Sequence, residues 1–291
     1  MKTTSLRHNS MKVAPYLFIA PAVVYIFAVT IIPMLMALPI SFTNWSALSP
    51  TKKFVGFANY KKLLGDQAFW KSCLVMSKFF IYVPIVMLAG LCAALLLNSR
   101  TYGQKVFRVV FYAPVITSTV AAAILFDWFY QPTFGLFNAI LNTFGLPSIG
   151  WISDAKTSVM SVIIFKVWKG FGGTMLIYLA GLQDIGGEIL EAASVDGAGP
   201  WRKFIHITFP LLKPAHSYLL ITEIIGVFMI FQETYMLSGP LQSTKTVVNY
   251  IYEKGFDSFR MGYASAMSFI LFLIVMCITV VQQKVAKMDV V

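Results

Sequence analysis

The residues best placed for chemistry in this chain lie in two settings. One is a polar stretch, Gln183 to Pro210, between two long apolar runs. It carries Glu188 and Glu191 at the start of a short helical pattern, where the helix dipole favours acids. Ala192 and Ala193 leave a low surface that permits close approach of a partner. Asp196-Gly197 reads as a turn, and Pro200 sits where a second helix begins. Pro210 is expected to end that helix, leaving two short helices at an angle outside the membrane. The other setting is a set of charges inside apolar runs: Lys78, Asp127, Lys166, Lys169, Lys213, Glu223 and Glu233. Such charges are costly in lipid and point by default to function, although those near run ends can reach the interface.

Other chemistries find no footing. Lys169-Gly170-Phe171-Gly172-Gly173-Thr174 is a glycine cluster, but it matches neither a phosphate loop nor a dinucleotide fingerprint. His8, His206 and His216 have no metal spacing, and no nucleophile–base arrangement is present. Cys73, Cys92 and Cys277 lie in or beside apolar runs, and three cysteines are not a disulfide framework.

The elements that must position these residues follow from composition. The chain has 291 residues, 58% hydrophobic and 12% charged. That balance excludes a soluble enzyme, a disordered chain and a coiled coil. The net charge of +11 then reads as loops against anionic headgroups rather than as a nucleic-acid surface. Apolar runs near 13–42, 72–97, 107–130, 158–182, 211–237 and 262–283 are each long enough to cross a bilayer. They are continuous rather than alternating, so the expected class is all-α, a polytopic membrane bundle of about six helices. The first run is twice the length of a signal h-region and is read as a retained span that Pro15, Pro21, Pro33 and Pro39 kink or end. Basic residues do not settle orientation: with both ends inside, about ten lie inward and nine outward, and Arg100, Lys105 and Arg108 lean inward.

The pattern Glu191-Ala192-Ala193, Asp196-Gly197-Ala198, Phe204, Ile207 and Pro210 resembles the EAA loop of binding-protein-dependent ABC transporter permeases. Phe209 stands where the family usually has Leu. The likeness extends through Ser41-Phe42-Thr43-Asn44-Trp45, Phe54 to Tyr60, Trp168-Lys169-Gly170, Ala180 to Gln183 and Phe256 to Ala266, and is similar to the carbohydrate-uptake permeases of the maltose type.

The resemblance implies a type-1 ABC importer permease fold. Its divisions are a cytoplasmic tail at 1–12, a first helix and external loop at 13–71, a five-helix core at 72–284 holding the loop at 188–210, and a tail at 285–291. It implies a bacterial plasma membrane location with both termini cytoplasmic. The implied partners are a second permease of the same kind, a cytosolic ATPase dimer, an external sugar-binding protein and the bilayer, with no nucleic acid. ATP and Mg sit on the ATPase, and this chain binds no cofactor. In the loop, Glu188, Glu191, Ala192, Ala193, Asp196, Gly197, Ala198 and Phe204 carry over as the ATPase contact, with Glu191 facing a basic group.

A sugar path carries over onto Trp168, Lys169, Gly170 and Gly173 of the fourth run and onto Glu223, Val227 and Ile230 of the fifth. Sugar chemistry adds Phe231, Gln232, Glu233 and Tyr235, with Tyr178 as a further stacking ring. Val227 and Ile230 are apolar, which shifts the weight of sugar binding toward the second permease. An interhelical Lys169–Glu223 pair is the structural alternative for these charges. An ion-coupled carrier using Asp127, Glu223 or Glu233 is the functional one.

Overall fold

A computed structural model describes residues 3–49, 51–99 and 103–288, with side chains described from residue 15 to residue 284. Arg100 and the side chains of Arg7, His8 and Lys12 fall outside that description, as does Lys2. The described chain is helical, with one isolated antiparallel bridge between Thr43 and Phe54. In chain order the helices are α1 (Thr3–Ile26), α2 (Ile32–Ser41), α3 (Ala58–Leu64), α4 (Gln67–Lys78), α5 (Tyr82–Asn98), α6 (Gln104–Ile116), α7 (Thr119–Phe129) and α8 (Leu136–Thr143). They continue as α9 (Ser158–Gln183), α10 (Gly187–Val195), α11 (Pro200–Lys203), α12 (Phe209–Leu211), α13 (Lys213–Phe228), α14 (Gln232–Met236), α15 (Val247–Tyr252) and α16 (Met261–Met288).

Five stretches are long and apolar enough to cross a membrane: Pro15–Ser41, Gln67–Asn98, Ser158–Gln183, Lys213–Met236 and Met261–Lys284. The third expected run is not one straight helix. It breaks into α6 and α7, bent by 96°. Thr117 and Ser118 are extended at the break, and the Ser118 hydroxyl accepts from the Ala121 amide. Pro114 starts the break, because it has no N–H to give the preceding turn.

Pro39 lies in the last turn of α2, which ends at Ser41, but at other sites proline reshapes a turn without ending the helix. Pro15 and Pro21 lie inside α1, which continues past them. A π turn at Phe27–Ile31 precedes Pro33, a 3-10 turn at Phe79–Ile81 precedes Pro84, and a π turn at Phe204–Thr208 precedes Pro210. Each irregular turn re-routes the backbone bonds that the ring cannot make. Hence Pro210 does not end the second short helix: it lies inside α12, and helix resumes at Lys213. The expected N-terminal tail at 1–12 is likewise helical from Thr3 onward.

Internal contacts divide the chain into two units, Met1–Asp66 with Ile251–Leu273, and Gln67–Tyr250 with Ile274–Val291. In the first, the motifs that marked the family resemblance fold into one knot. Asn59 Nδ2 donates to the carbonyls of Ser41 and Thr43, both at 2.8 Å. Ser41 Oγ lies 2.6 Å from the Tyr60 hydroxyl, and Phe42 packs on Phe57 and Tyr60. The Gly262 amide donates to the Trp45 carbonyl, and the Ala47 amide to Phe259. Tyr263 donates to Asp66 at 2.6 Å, with Lys62 over its ring.

In the second unit, α5, α6, α9 and α13 surround two apolar cores. One centres on Phe79, Val86, Phe126 and Phe165, the other on Ala94, Met175 and Leu212. Lipid offers no hydrophobic drive for helix association, so close backbone approach carries the packing. α6 meets α9 at Gly172, where an added Cβ would strike the Phe111 carbonyl.

Candidate functional site

The loop between α9 and α13 is built from a defined turn. α10 ends at Asp196 and Gly197 takes φ +77°. The Gly197 amide donates to the Ser194 carbonyl at 3.1 Å, and the Ala198 amide to Ala193 at 2.9 Å. These are the two bonds of a Schellman motif, which satisfies the free carbonyls at a helix end. Gly199 then caps α11, with Pro200 at its first position. Lys203 Nζ reaches Ser194 Oγ at 3.0 Å and ties the two short helices together. Between them lies a cavity of 260 Å³ lined by Ala193, Asp196, Ala198, Arg202, His206 and Ile207.

Glu188, Glu191 and Ala192 are exposed, as are the apolar Ile189, Val195 and Trp201. Phe204 turns the other way and packs on the Met175–Leu212 core. The loop therefore has one face anchored to the bundle and one face of acids and apolar side chains open to a partner. Gly197 holds the angle between its helices. Gly197→Ala should cost about 1 kcal/mol, the penalty of the left-handed region for a side chain. The amides of Gly197 and Ala198 should then exchange hydrogen about fivefold faster; unchanged exchange would show that the turn does not depend on glycine.

The membrane charges are brought together differently from the expected Lys169–Glu223 pair. Lys166 Nζ lies 3.6 Å from Glu233 Oε1, with the two side chains 14% and 17% exposed. The same ammonium sits 4.7 Å above the Tyr82 ring, and the Tyr82 hydroxyl bonds to Glu223. Lys169 turns to α6, donating to the carbonyls of Thr117 at 2.7 Å and Pro114 at 3.2 Å. The Pro114 carbonyl also accepts from the Thr117 amide and hydroxyl, so the cation joins a turn that Thr117 already closes. Lys166, Tyr82, Glu223 and Glu233 thus form one belt, while Lys169 holds a broken helix.

The remaining candidates separate. Trp168 packs 4.9 Å from Phe126 against the first core. An added Cβ at Gly170 would come within 2.6 Å of the Tyr82 hydroxyl, whereas at Gly173 it would meet nothing within 4 Å. Val227 and Ile230 are 0% and 1% exposed, inside the first core rather than on an open face. The fifth span is interrupted between Glu223 and Glu233: α13 ends at Phe228 and Phe231 takes a non-helical conformation. The carbonyls freed there are met by Thr246 Oγ1 on Ile230 and by Asn249 Nδ2 on Phe231, with Thr234 Oγ1 donating to Asn249 Oδ1 at 2.7 Å. Beyond the break Gln232 and Tyr235 are exposed, and Tyr235 packs 5.3 Å from Phe231. Tyr178 is not available for stacking, being buried and bonded to His216. Asp127 lines a separate polar cavity of 340 Å³ with Gln131, Ser153 and Ser238.

Sequence reading had no route to Tyr82, since no spacing ties it to Glu223. Lys166 and Lys169 differ by less than a helical turn in one apolar run, and only the packing of α6 decides which of them finds a carboxylate.

Comparison with known proteins identifies the family. Residues 85–287 match the family model for the binding-protein-dependent transport system inner membrane component. The probable ABC transporter permease protein YurN of Bacillus subtilis is 33% identical over 96% of this chain and 98% of its own. The trehalose/maltose transport system permease protein MalF of Thermococcus litoralis is 32% identical over 98% and 97%. The arabinooligosaccharides transport system permease protein AraP of Bacillus subtilis is 31% identical over 95% and 90%. Among solved structures, a bacterial ABC transporter involved in import of the acidic polysaccharide alginate shares the fold, with TM-score 0.83 and 21% identity over 97% of this chain and 98% of that one. A multi-pass helical fold, an anchored helix–turn–helix loop and a family match over most of the chain make this protein a membrane permease subunit of the binding-protein-dependent ABC transporter family.

Proposed function

We propose that this chain is one of two permease subunits of an ABC importer for a sugar or oligosaccharide in the bacterial plasma membrane, with both termini cytoplasmic. A second permease with its own loop of the same kind completes the path. A cytosolic ATPase dimer, which holds the ATP and Mg, docks on the loops, and an external binding protein delivers the solute. This chain itself binds no cofactor.

The observation that carries the reading is the loop from Gly187 to Leu211, with its fixed turn, exposed acids and anchored Phe204. A short helix presented this way suits a groove on another protein. Glu188 and Glu191 would meet basic groups there, Ala192 and Ala193 would let the surfaces approach, and Asp196-Gly197-Ala198 would hold the angle. Closing of the ATPase pair would move both loops as rigid bodies and switch the path between its two openings. A thousandfold accumulation costs about 4 kcal/mol, within the reach of ATP hydrolysis.

The sugar class rests on the names of the relatives, AraP and MalF among them. The belt pairs Lys166 with Glu233 and holds Glu223 against the Tyr82 hydroxyl, offering the hydrogen-bonding groups that a hydroxyl-rich cargo takes. The test is purification of the chain from its native membranes in mild detergent, followed by reconstitution. Recovery of an ATPase and a second permease, with uptake that requires ATP and a sugar-binding protein, is the expected result. Recovery of the chain alone, active in uptake driven by an ion gradient, would overturn the reading.

A further inference from the structure

The second short helix of the loop reaches the bundle by two routes. One is the chain itself, through α12 into α13. The other is a run of rings. Trp201 stacks on Phe204 at 5.8 Å, Phe204 meets Phe209 at 6.0 Å, and Phe209 lies 4.5 Å from His216. His216 Nδ1 is 2.8 Å from the Tyr178 hydroxyl. Trp201 is 72% exposed on the loop, whereas Tyr178 is 1% exposed near the C-terminal end of α9. The run therefore starts on the docking surface and ends in the core of the fourth span.

We propose that Tyr178 and His216 form the joint through which loop movement reaches α9, acting as positioning residues for transport. The inference rests on the reading of this loop as the ATPase dock. Aromatic rings have few internal degrees of freedom, so a displacement of Trp201 is passed on rather than absorbed. Close-packed interiors transmit strain in the same way. The joint itself is not close-packed. A cavity of 490 Å³ lies beside it, lined by Val83, Met87, Leu91, Tyr178, Phe209 and His216. His216 Nε2 is buried and makes no hydrogen bond of standard geometry. A buried polar atom left short of a partner calls for a physical reason. The apolar cavity offers Nε2 no partner, but it gives the ring room to turn away from Tyr178. The His216–Tyr178 bond is then made in one state of the cycle and released in the other, as a two-position element requires.

The test uses the whole transporter in proteoliposomes, with binding protein and sugar, and reads uptake and ATP hydrolysis together. Tyr178→Phe removes one oxygen and keeps the ring. His216→Leu removes the acceptor. His216→Asn places an oxygen near the position of Nδ1 and restores an acceptor. Tyr178→Phe and His216→Leu should each lower uptake per ATP at least about fivefold, the weight of one hydrogen bond, while hydrolysis itself changes less than about twofold. The double variant should be no worse than the worse single one, because both cut the same joint. His216→Asn should recover most of the coupling. If His216→Leu fails to assemble, Tyr178→Phe and His216→Asn carry the test. Variants that couple as well as the unmodified transporter, that lose uptake and hydrolysis in parallel, or whose effects multiply would overturn the joint alone. An unmodified chain that holds no ATPase would overturn the dock, and the joint with it.

Discussion

Lys166→Met is expected to destabilise the protein by about 3 kcal/mol, because it removes one partner of a largely buried ion pair and leaves the other charged. Glu233 would lose the cation 3.6 Å away. Tyr82, which holds Glu223, would lose the ammonium over its ring. Lys169 does not replace Lys166, since its ammonium already serves the carbonyls of Pro114 and Thr117. The double change Lys166→Met with Glu233→Leu should recover most of the loss, as apolar replacements for a buried pair commonly do. Thermal unfolding of the purified chain in detergent measures both. A single variant as stable as the parent, or a double variant less stable than the single, would show that the pair is solvated and contributes little.

Gly172→Ala and Gly173→Ala should have opposite outcomes, although the positions are adjacent and the substitution is the same. At Gly172 the new methyl runs into the Phe111 carbonyl, which is backbone and moves only with α6 as a whole. Overpacking of this kind costs about 1–3 kcal/mol, and here it also pries apart helices that lipid does not push together. The carbonyls that Lys169 holds sit on the same displaced helix. At Gly173 the methyl meets nothing within 4 Å, and alanine is the better helix former by about 1 kcal/mol. Gly173→Ala should therefore match or exceed the parent in unfolding temperature, and Gly172→Ala should fall below it. Equal behaviour of the two would mean that α6 and α9 do not touch at that level.

These two tests concern what the sequence did not make legible. Long apolar runs identified the spans, since length and hydropathy alone decide whether a helix crosses a bilayer. The loop was legible for a different reason. Its turn needs glycine at a left-handed position and proline at a helix start, and both requirements write themselves into residue type. The break in the third span was harder to see. Pro114 was visible, but at Pro15, Pro21, Pro33, Pro84 and Pro210 proline leaves the helix running or only widens or tightens a turn. The polar trio Thr117-Ser118-Thr119 supplied the extra ingredient, a cap that lets α7 start afresh. The membrane charges were least legible. Lys166, Lys169, Glu223 and Glu233 could all be listed as costly, yet their pairing depends on which carbonyls a neighbouring helix leaves open. Val227 and Ile230 are buried in the first core on either side of the interruption after Phe228, which residue type alone does not reveal.

The knot that joins the first and last spans bears on the timing of biosynthesis. Its local half can form early, because Asn59, Ser41, Thr43, Phe54 and Tyr60 are made within one short stretch of chain. Its remaining donors and acceptors wait. Trp45 finds Gly262, Ala47 finds Phe259 and Asp66 finds Tyr263 only after some two hundred further residues have been translated. Contacts so distant in sequence form slowly, and until they form the early segment carries unmet polar groups. A ribosome that stalls before Phe259 therefore leaves a product whose first loop is open at Trp45. Quality control could distinguish that loop from the closed one of a finished chain.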